Sequence, residues 1–296
     1  MVKCTAFVLG GGGSRGALQV GALRALLEAG IVPDLLIGTS IGAVNAAGLA
    51  LWGPDLDGID VLERAWKQVS GAQMLDPRVT QLLIRAMVRK PSDRARKKIE
   101  DYFVSSGFTH GLTFNQIPWV QLAMVSADIE TGDPVIFGQD PGDSVLEGLL
   151  SSVALPPWFS PYEKNGQVMI DGGALSNLPI EPALQMGATE IIALDLDDPT
   201  ALATENLSFA DYFQKYLFAV SRRHVNLEKA LAEANGVPVH CVDFRRLATT
   251  PLWDFSNSER LIQAGYDNTR LKIEEWRKEN QSYPLFLASQ SENQLV

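Results

Sequence analysis

Residues 5–52 read TAFVLGGGGSRGALQVGALRALLEAGIVPDLLIGTSIGAVNAAGLALW. In this stretch, segments with the pattern of a β-strand alternate with segments that have the period of an α-helix. The apolar run at 5–9 stops at four glycines, which is typical of a buried strand. Residues 16–29 place their apolar side chains on one helical face, and Gly30 supplies the C-cap. A second buried strand at 35–37 and an Ala-rich helix at 41–52 follow. This order predicts an α/β fold with a mostly parallel central sheet and right-handed crossovers.

The rest of the chain continues this alternation after one interruption. Residues 58–112 are mainly helical in pattern, and we interpret them as a helical insertion. The later elements are predicted as a hairpin of strands 119–126 and 134–137, strands at 168–170, 191–196 and 237–242, and helices at 143–152 and 209–235. We find no repeat and no linker that divides the chain. We therefore expect one domain over 1–296, with a C-terminal helical region at about 205–280.

The first chemical motif is GTSIG, from Gly38 through Ser40 to Gly42, at the junction of a predicted strand and a predicted helix. A GxSxG at such a junction is typical of a nucleophile elbow, because the glycines leave room for a serine in strained backbone geometry. The helix that follows points its first amides at the oxyanion that forms during catalysis. A Gly-Ser turn that matches by coincidence is the alternative.

The second motif is GGGGSRG at 10–16, between the first strand and the first helix. Backbone amides in a glycine run can face a developing negative charge without obstruction, as in an oxyanion hole. A dinucleotide site is the rival, but it requires an acidic residue after the second strand, where this chain has Gly38-Thr39-Ser40. A P-loop is excluded, because it requires Gly-Lys-Ser/Thr and this loop has none. Arg15 has an alternative role as a structural cation that ties the loop to the core.

A serine nucleophile needs a base, and Asp171 is the candidate. It follows the predicted strand 168–170 and precedes Gly172 and Gly173, in a turn that can present a side chain. The three histidines lie elsewhere: His110 in a loop of the insertion, His224 on a helix predicted to be exposed, and His240 in the last strand. An Asp before Gly is also a common turn former, and that interpretation stays open.

Together the motifs resemble the signature blocks of patatin-like lipid acyl hydrolases, with bacterial single-domain members the most similar. Three blocks occur in order, GGGSRG at 11–16, GTSIG at 38–42 and DGG at 171–173. ADIETG at 127–132, SVALP at 152–156 and DGGALSNLPIEP at 171–182 also resemble family segments. The likeness covers about residues 5–198, which we take as the signature-bearing core.

The resemblance implies a three-layer α/β/α sandwich and a Ser–Asp dyad without histidine. By position, Ser40 is the nucleophile, Asp171 the base, and the amides of Gly11, Gly12, Gly13 and Ser14 the oxyanion donors. Motif support comes from Arg15, Gly16, Gly38, Gly42, Gly172 and Gly173. No metal or cofactor is implied. We expect burial to raise the pKa of Asp171, because a carboxylate near its usual pKa is a poor base for serine.

Composition narrows the class of partner and the compartment. A net charge of −10 argues against a nucleic-acid ligand. Two cysteines, Cys4 and Cys241, fit a reducing compartment, and no apolar run reaches the length of a membrane span. From the pattern of residues 1–10 we expect no signal peptide. We expect a soluble cytoplasmic protein.

One segment contrasts with this acidity. From Arg78 to Lys98 there are eight Lys or Arg residues and one acidic residue, Asp93. Leu82, Leu83, Ala86 and Met87 lie among the cations, so the segment is a candidate for peripheral contact with an anionic membrane. A solvated helical face is the alternative.

The leading functional hypothesis is a phospholipase A-type or lysophospholipase-type hydrolase that cleaves carboxylic esters of lipids. The second is an acyltransferase, since acyl-carrier-protein transacylases share this kind of elbow, although they pair serine with histidine. The third is a non-enzymatic regulatory interaction protein that keeps the fold.

Overall fold

The computed structural model describes residues 3–69, 93–197, 209–247 and 250–281. Its centre is an eight-stranded sheet in the order β5-β6-β3-β2-β1-β7-β8, with β4 paired to β3. The strands are β1 (Thr5–Leu9), β2 (Leu35–Thr39), β3 (Gln121–Asp128), β4 (Pro134–Phe137), β5 (Tyr162–Lys164), β6 (Gln167–Asp171), β7 (Glu190–Asp195) and β8 (Val239–Asp243).

Five neighbouring strands of the sheet are parallel to one another, in the order β3, β2, β1, β7 and β8. Antiparallel pairing is confined to β4, β5 and β6, at the other edge. The prediction of a mostly parallel sheet is confirmed, and β3 and β4 form the predicted hairpin. Since parallel strands end at the same edge, β1 and β2 deliver the residues that follow them to one place.

Helices cover both faces of the sheet. They are α1 (Gly16–Glu28), α2 (Ile41–Trp52), α3 (Leu56–Val69), α4 (Asp93–Ser105), α5 (Val145–Ser152), α6 (Ile180–Gln185), α7 (Phe209–Ala234) and α8 (Ser258–Gln281). The fold is therefore the predicted α/β sandwich with helices on both sides.

The core consists of two apolar layers, one on each side of the sheet. Phe7 and Leu9 of β1 pack in the layer that includes α1, α2 and α8. Ala6 and Val8 pack in the opposite layer with α6 and α7. All four side chains have no exposed surface. Burial on both faces explains why the strand is continuously apolar instead of alternating.

Several elements differ from the prediction at their ends or were missed. Strand β5 and helix α6 were not predicted. They have three and six residues, which is too short for an apolar period to be recognised in the sequence. Within the predicted insertion, α3 and α4 are helical, and residues 70–92 lie outside the described residues. Most of the basic segment 78–98 lies there too; in its described part, Lys97 pairs with Asp101. In the described ranges no helix is both long and apolar enough to cross a membrane.

Candidate active site

Ser40 occupies a sharp turn between β2, which ends at Thr39, and α2, which begins at Ile41. Its backbone has φ 55° and ψ −124°, a conformation that residues other than glycine rarely adopt. The two glycines of the motif permit this turn by close approach. A Cβ on Gly38 would lie 2.3 Å from the Gly42 carbonyl oxygen, and one on Gly42 would lie 2.1 Å from that of Leu9. The geometry is that of a nucleophile elbow.

Asp171 is the last residue of β6, and its side chain caps the 3₁₀ turn at 172–174. Its Oδ1 accepts a hydrogen bond of 2.8 Å from the Gly173 amide. Its Oδ2 is buried, and within the described residues it accepts no hydrogen bond of ordinary geometry. Burial raises the pKa of Asp171 to about 6, although the nearby Ser40 hydroxyl and the Gly173 amide act to lower it.

The glycine loop follows β1 and faces the elbow, but its amides are not equivalent. The Gly11 amide donates to the Asn177 carbonyl at 3.0 Å, and the Ser14 amide to the Leu252 carbonyl at 2.8 Å. Across the described ranges, no protein acceptor takes the amides of Gly12 and Gly13. Of the four predicted oxyanion donors, two are therefore engaged elsewhere and two are available.

Two neighbours of the loop explain its shape. Gly13 has φ 56°, and a Cβ there would lie 2.4 Å from the Leu252 carbonyl oxygen. Arg15 donates from Nε to the Thr250 carbonyl at 3.3 Å, which supports its alternative role as a cation that ties the loop to the protein. Residues 250–252 carried no sequence signal for this contact.

One cavity of about 530 Å³ brings the predicted residues together. From the motifs, its lining includes Gly11, Gly12, Gly13, Arg15, Ser40, Asp171 and Gly173. The other motif residues Ser14, Gly16, Gly38, Gly42 and Gly172 lie outside the lining. Most of the remaining wall is apolar, with Trp52, Leu62, Trp66, Ile99, Phe103, Phe108 and Phe159 among its side chains. The cavity joins the three sequence motifs to a space suited to a hydrocarbon chain.

Three hydrogen-bonded polar residues of the cavity, Asn177, Asp197 and Ser221, were not predicted as site residues. Asn177 Nδ2 donates to Asp197 Oδ1 at 3.2 Å, and Ser221 Oγ donates to Asp197 Oδ2 at 3.3 Å. Burial, and next the charge of Asp195, raise the pKa of Asp197 to about 6. Asn177 lies in the DGGALSN segment, so its position near Asp171 was a signal that could have identified it.

The histidines lie outside the cavity lining. His110 lies 3.7 Å from Glu100, and His240 lies 3.4 Å from Glu190. His224 lies on α7, a helix with many exposed residues, but is itself half-buried, with Nδ1 3.0 Å from the Leu175 carbonyl oxygen. The turn after Asp171 covers this histidine, a long-range contact that the helical pattern does not show. In the part of the chain that the structure describes, no cluster of His, Cys, Asp and Glu could hold a metal ion.

Comparison with known proteins shows the family to which the chain belongs. The family model of patatin-like phospholipases matches residues 7–184, which include the glycine loop, Ser40 and Asp171. The chain belongs to the patatin-like phospholipase family. Helices α7 and α8 lie beyond the matched residues.

Two similar proteins are much longer than this chain. An uncharacterized NTE family protein of Mycobacterium tuberculosis is 31% identical over 189 residues, covering 64% of this chain and 30% of the relative. Patatin-like phospholipase domain-containing protein 6 of Mus musculus is 32% identical over 222 residues, covering 70% and 15%. The alignments thus span less than a third of either relative. The crystal structure of VipD from Legionella pneumophila aligns with a TM-score of 0.49 at 17% identity, covering 93% of this chain and 67% of that one.

Proposed function

We propose that this chain is a serine acyl hydrolase that cleaves carboxylic esters of lipids, in the manner of a phospholipase A or lysophospholipase. One observation carries the proposal: a serine in strained backbone geometry and a buried carboxyl group line the same apolar cavity. Membership of the patatin-like phospholipase family supports the same reaction class. Ser40 is the nucleophile and Asp171 its base.

The raised pKa suits Asp171 to this role. A base is most effective when its pKa lies near the working pH, and a pKa of about 6 is closer to neutrality than that of an exposed aspartate. Oδ1 is held by the Gly173 amide, so Oδ2 is the oxygen that takes the serine proton. The hydrogen bond at Oδ1 fixes the carboxylate while Oδ2 stays available.

Acylation begins when Ser40 Oγ passes its proton to Asp171 and bonds to the ester carbonyl carbon. The carbonyl oxygen becomes an oxyanion, which the amides of Gly12 and Gly13 stabilise. Ile41 also lines the cavity and begins α2, so its amide is a further donor, in line with the expectation that the first amides of this helix face the oxyanion. The ester bond then breaks, and Asp171 returns its proton to the departing alkoxide.

Deacylation repeats these steps with water. Asp171 takes a proton from a water molecule whose oxygen attacks the acyl carbon, and the bond to Ser40 Oγ breaks as the proton returns to the serine. The apolar wall holds the acyl chain in both halves, which favours a lipid over a small polar ester. We propose that the described residues form one domain around this cavity.

The decisive experiment compares two matched aspartates of the cavity. Both Asp171 and Asp197 have a pKa raised to about 6, but Asp197 is held by Asn177 and Ser221. We expect Ser40→Ala and Asp171→Asn to lower hydrolysis of phospholipids, lysophospholipids and p-nitrophenyl esters by about 10³-fold or more. Asp197→Asn should cause a much smaller loss. Equal losses in the two Asp→Asn variants would contradict the assignment of the base.

Two further readouts separate the other hypotheses. A fluorophosphonate probe should label the unmodified protein and not Ser40→Ala, whereas a non-enzymatic protein would not be labelled. Products are then analysed with and without an added alcohol. Free fatty acid as the main product in both cases supports hydrolysis, and a dominant new ester would indicate acyl transfer.

A further inference from the structure

Helix α7 exposes an unusual number of large apolar side chains. Six of the eleven large hydrophobic residues that are exposed among the described residues belong to it, and no other element has more than one. They are Tyr212, Tyr216, Leu217, Val220, Leu227 and Leu231, with exposed fractions of 36% to 62%. Tyr212, Tyr216, Val220, Leu227 and Leu231 recur at intervals of four or seven residues, which places them along one side of the helix. We call these six residues the docking face.

The docking face continues into the cavity that holds Ser40. Leu217 and Val220 are exposed to solvent and also line that cavity, together with Phe218. The apolar side of α7 therefore reaches the wall of the cavity. A hydrocarbon chain that leaves an apolar phase at this face can enter the cavity while staying in contact with apolar side chains.

The charges around the docking face are mostly positive. Between residues 212 and 231 the sequence contains Lys215, Arg222, Arg223 and Lys229 and one acidic residue, the buried Glu228. Arg223 is exposed, and the other three cations are half-buried. The whole chain has a net charge of −10, so this stretch is a local positive region. Apolar side chains flanked by Lys and Arg are the combination that binds at the surface of an anionic bilayer.

Helix α7 is also attached to the active-site segment. Glu228 Oε1 accepts a hydrogen bond of 2.7 Å from Ser176 Oγ, and its Oε2 accepts one of 2.8 Å from the Glu181 amide. His224 Nδ1 lies 3.0 Å from the Leu175 carbonyl oxygen. These contacts hold the helix to the residues that follow Asp171. Anything bound to the docking face is therefore held in a constant position relative to the dyad.

We propose that the docking face of α7 binds the surface of an anionic lipid bilayer and places the cavity opening against it. The inference rests on the proposed function for its purpose, since a lipid hydrolase must draw its substrate from such a surface. A second copy of the chain suits the face less well. A symmetric contact would bring Lys215, Arg222 and Arg223 close to the same residues of the partner copy, and like charges oppose that.

The test measures binding to vesicles separately from hydrolysis. Binding of Ser40→Ala protein to phosphatidylglycerol–phosphatidylcholine vesicles is measured by co-sedimentation, so that turnover does not alter the lipid. We expect Tyr212→Glu combined with Leu227→Glu to weaken binding at least tenfold. Leu271→Glu on α8 is the matched control, because Leu271 is 60% exposed and distant in sequence from the docking face, and it should bind normally. Arg223→Gln should weaken binding to anionic vesicles about fivefold and leave binding to neutral ones unchanged.

The same substitutions in the active protein keep the two proposals apart. The double variant should hydrolyse a soluble short-chain ester at the unmodified rate but lose activity on vesicles. Vesicle binding that survives in the double variant, or that is absent in the Ser40→Ala protein, would overturn the docking proposal and leave the proposed hydrolase intact. Self-association that the double variant abolishes would also overturn it, in favour of a contact between copies. If Ser40→Ala does not lower hydrolysis but the docking-face variants still weaken vesicle binding, the proposed hydrolase site is wrong and the docking proposal stands.

Discussion

The backbone amide of Ser40 donates a hydrogen bond of 2.9 Å to Oγ of Ser152, which is fully buried at the end of α5. The same hydroxyl donates to the Val125 carbonyl of β3 at 2.7 Å. Ser152 therefore connects the strained elbow to the central sheet through a single oxygen atom. A strained backbone persists only where the surrounding structure holds it, and this contact is one such restraint.

Replacing Ser152 with alanine should loosen the elbow. Ser152→Ala removes the partner that the half-buried Ser40 amide and the buried Val125 carbonyl share, which we expect to lower the free energy of unfolding by about 1–3 kcal/mol. We expect kcat for ester hydrolysis to fall more than KM rises, because the nucleophile loses its fixed position. Urea unfolding and steady-state kinetics measure the two effects. Ser151→Ala is the control, since among the described residues the hydrogen-bond partner of its Oγ is the Met169 sulfur, at 3.5 Å, and an equal effect there would contradict the prediction.

The rate of hydrolysis should depend on one ionisation near pH 6. Asp171 can accept a proton only as a carboxylate, and its pKa is raised to about 6 by burial. We therefore expect kcat/KM to fall about tenfold per pH unit below pH 6 and to level off above it. Asp197 also has a pKa raised to about 6, so the profile of Asp197→Asn decides between them. The acid limb should persist in that variant, and its disappearance would assign the limb to Asp197 instead.

The same raised pKa predicts that the proposed base destabilises the fold. Because the folded state holds the Asp171 proton more tightly than the unfolded state, stability falls as pH rises from about 4 to about 6 and is constant above that. A shift from 3.8 to about 6 corresponds to a cost on the order of 3 kcal/mol at pH 8.

Asp171→Asn should therefore be more stable than the unmodified protein at pH 8, with the difference shrinking towards pH 4. Urea unfolding at several pH values measures it. The control is Asp254→Asn, whose exposed carboxyl has a pKa lowered by Ser256 and should show no gain at pH 8. A gain for Asp171→Asn that is equal at both pH values would contradict the ionisation argument.

A side chain at Gly11 would crowd the proposed catalytic centre. A Cβ at Gly11 would lie 2.5 Å from Asn177 Oδ1 and 3.2 Å from the Ser40 Cβ, so Gly11→Ala must displace at least the Asn177 side chain. We expect hydrolysis to fall by about 10²-fold or more while the protein still folds. Gly111→Ala is the matched control, because nothing lies within 4 Å of its Cβ position. Circular dichroism checks the fold, and unchanged activity of Gly11→Ala would show that the loop does not need its observed position.

Much of the fold could be predicted because its strands and helices have strong local patterns. Strand β1 and helix α2 have the bounds that the sequence predicts. Each is a short, mainly apolar run that is followed directly by glycine. Strand β5 escaped prediction because three residues carry no period. The bend at Ser40 was also predictable, because the two glycines that permit it lie only two residues away on either side.

The contacts around the site could not be predicted in the same way. Ser152 is 112 positions from Ser40, and Asn177 is 166 positions from Gly11. No period or spacing relates residues so far apart. The engagement of the Gly11 and Ser14 amides likewise depends on Asn177 and Leu252, which come from other parts of the chain.

The sequence by itself determined the order of strands and helices and the three motifs that supply a serine, a glycine loop and an aspartate, because each depends on neighbouring residues. Only the tertiary structure decided that Gly12 and Gly13 are the available amides and that the pKa of Asp171 is raised to about 6. It also decided that the apolar side of α7 meets the cavity of Ser40. These properties depend on burial and on contacts between distant segments, which exist only once the chain is folded.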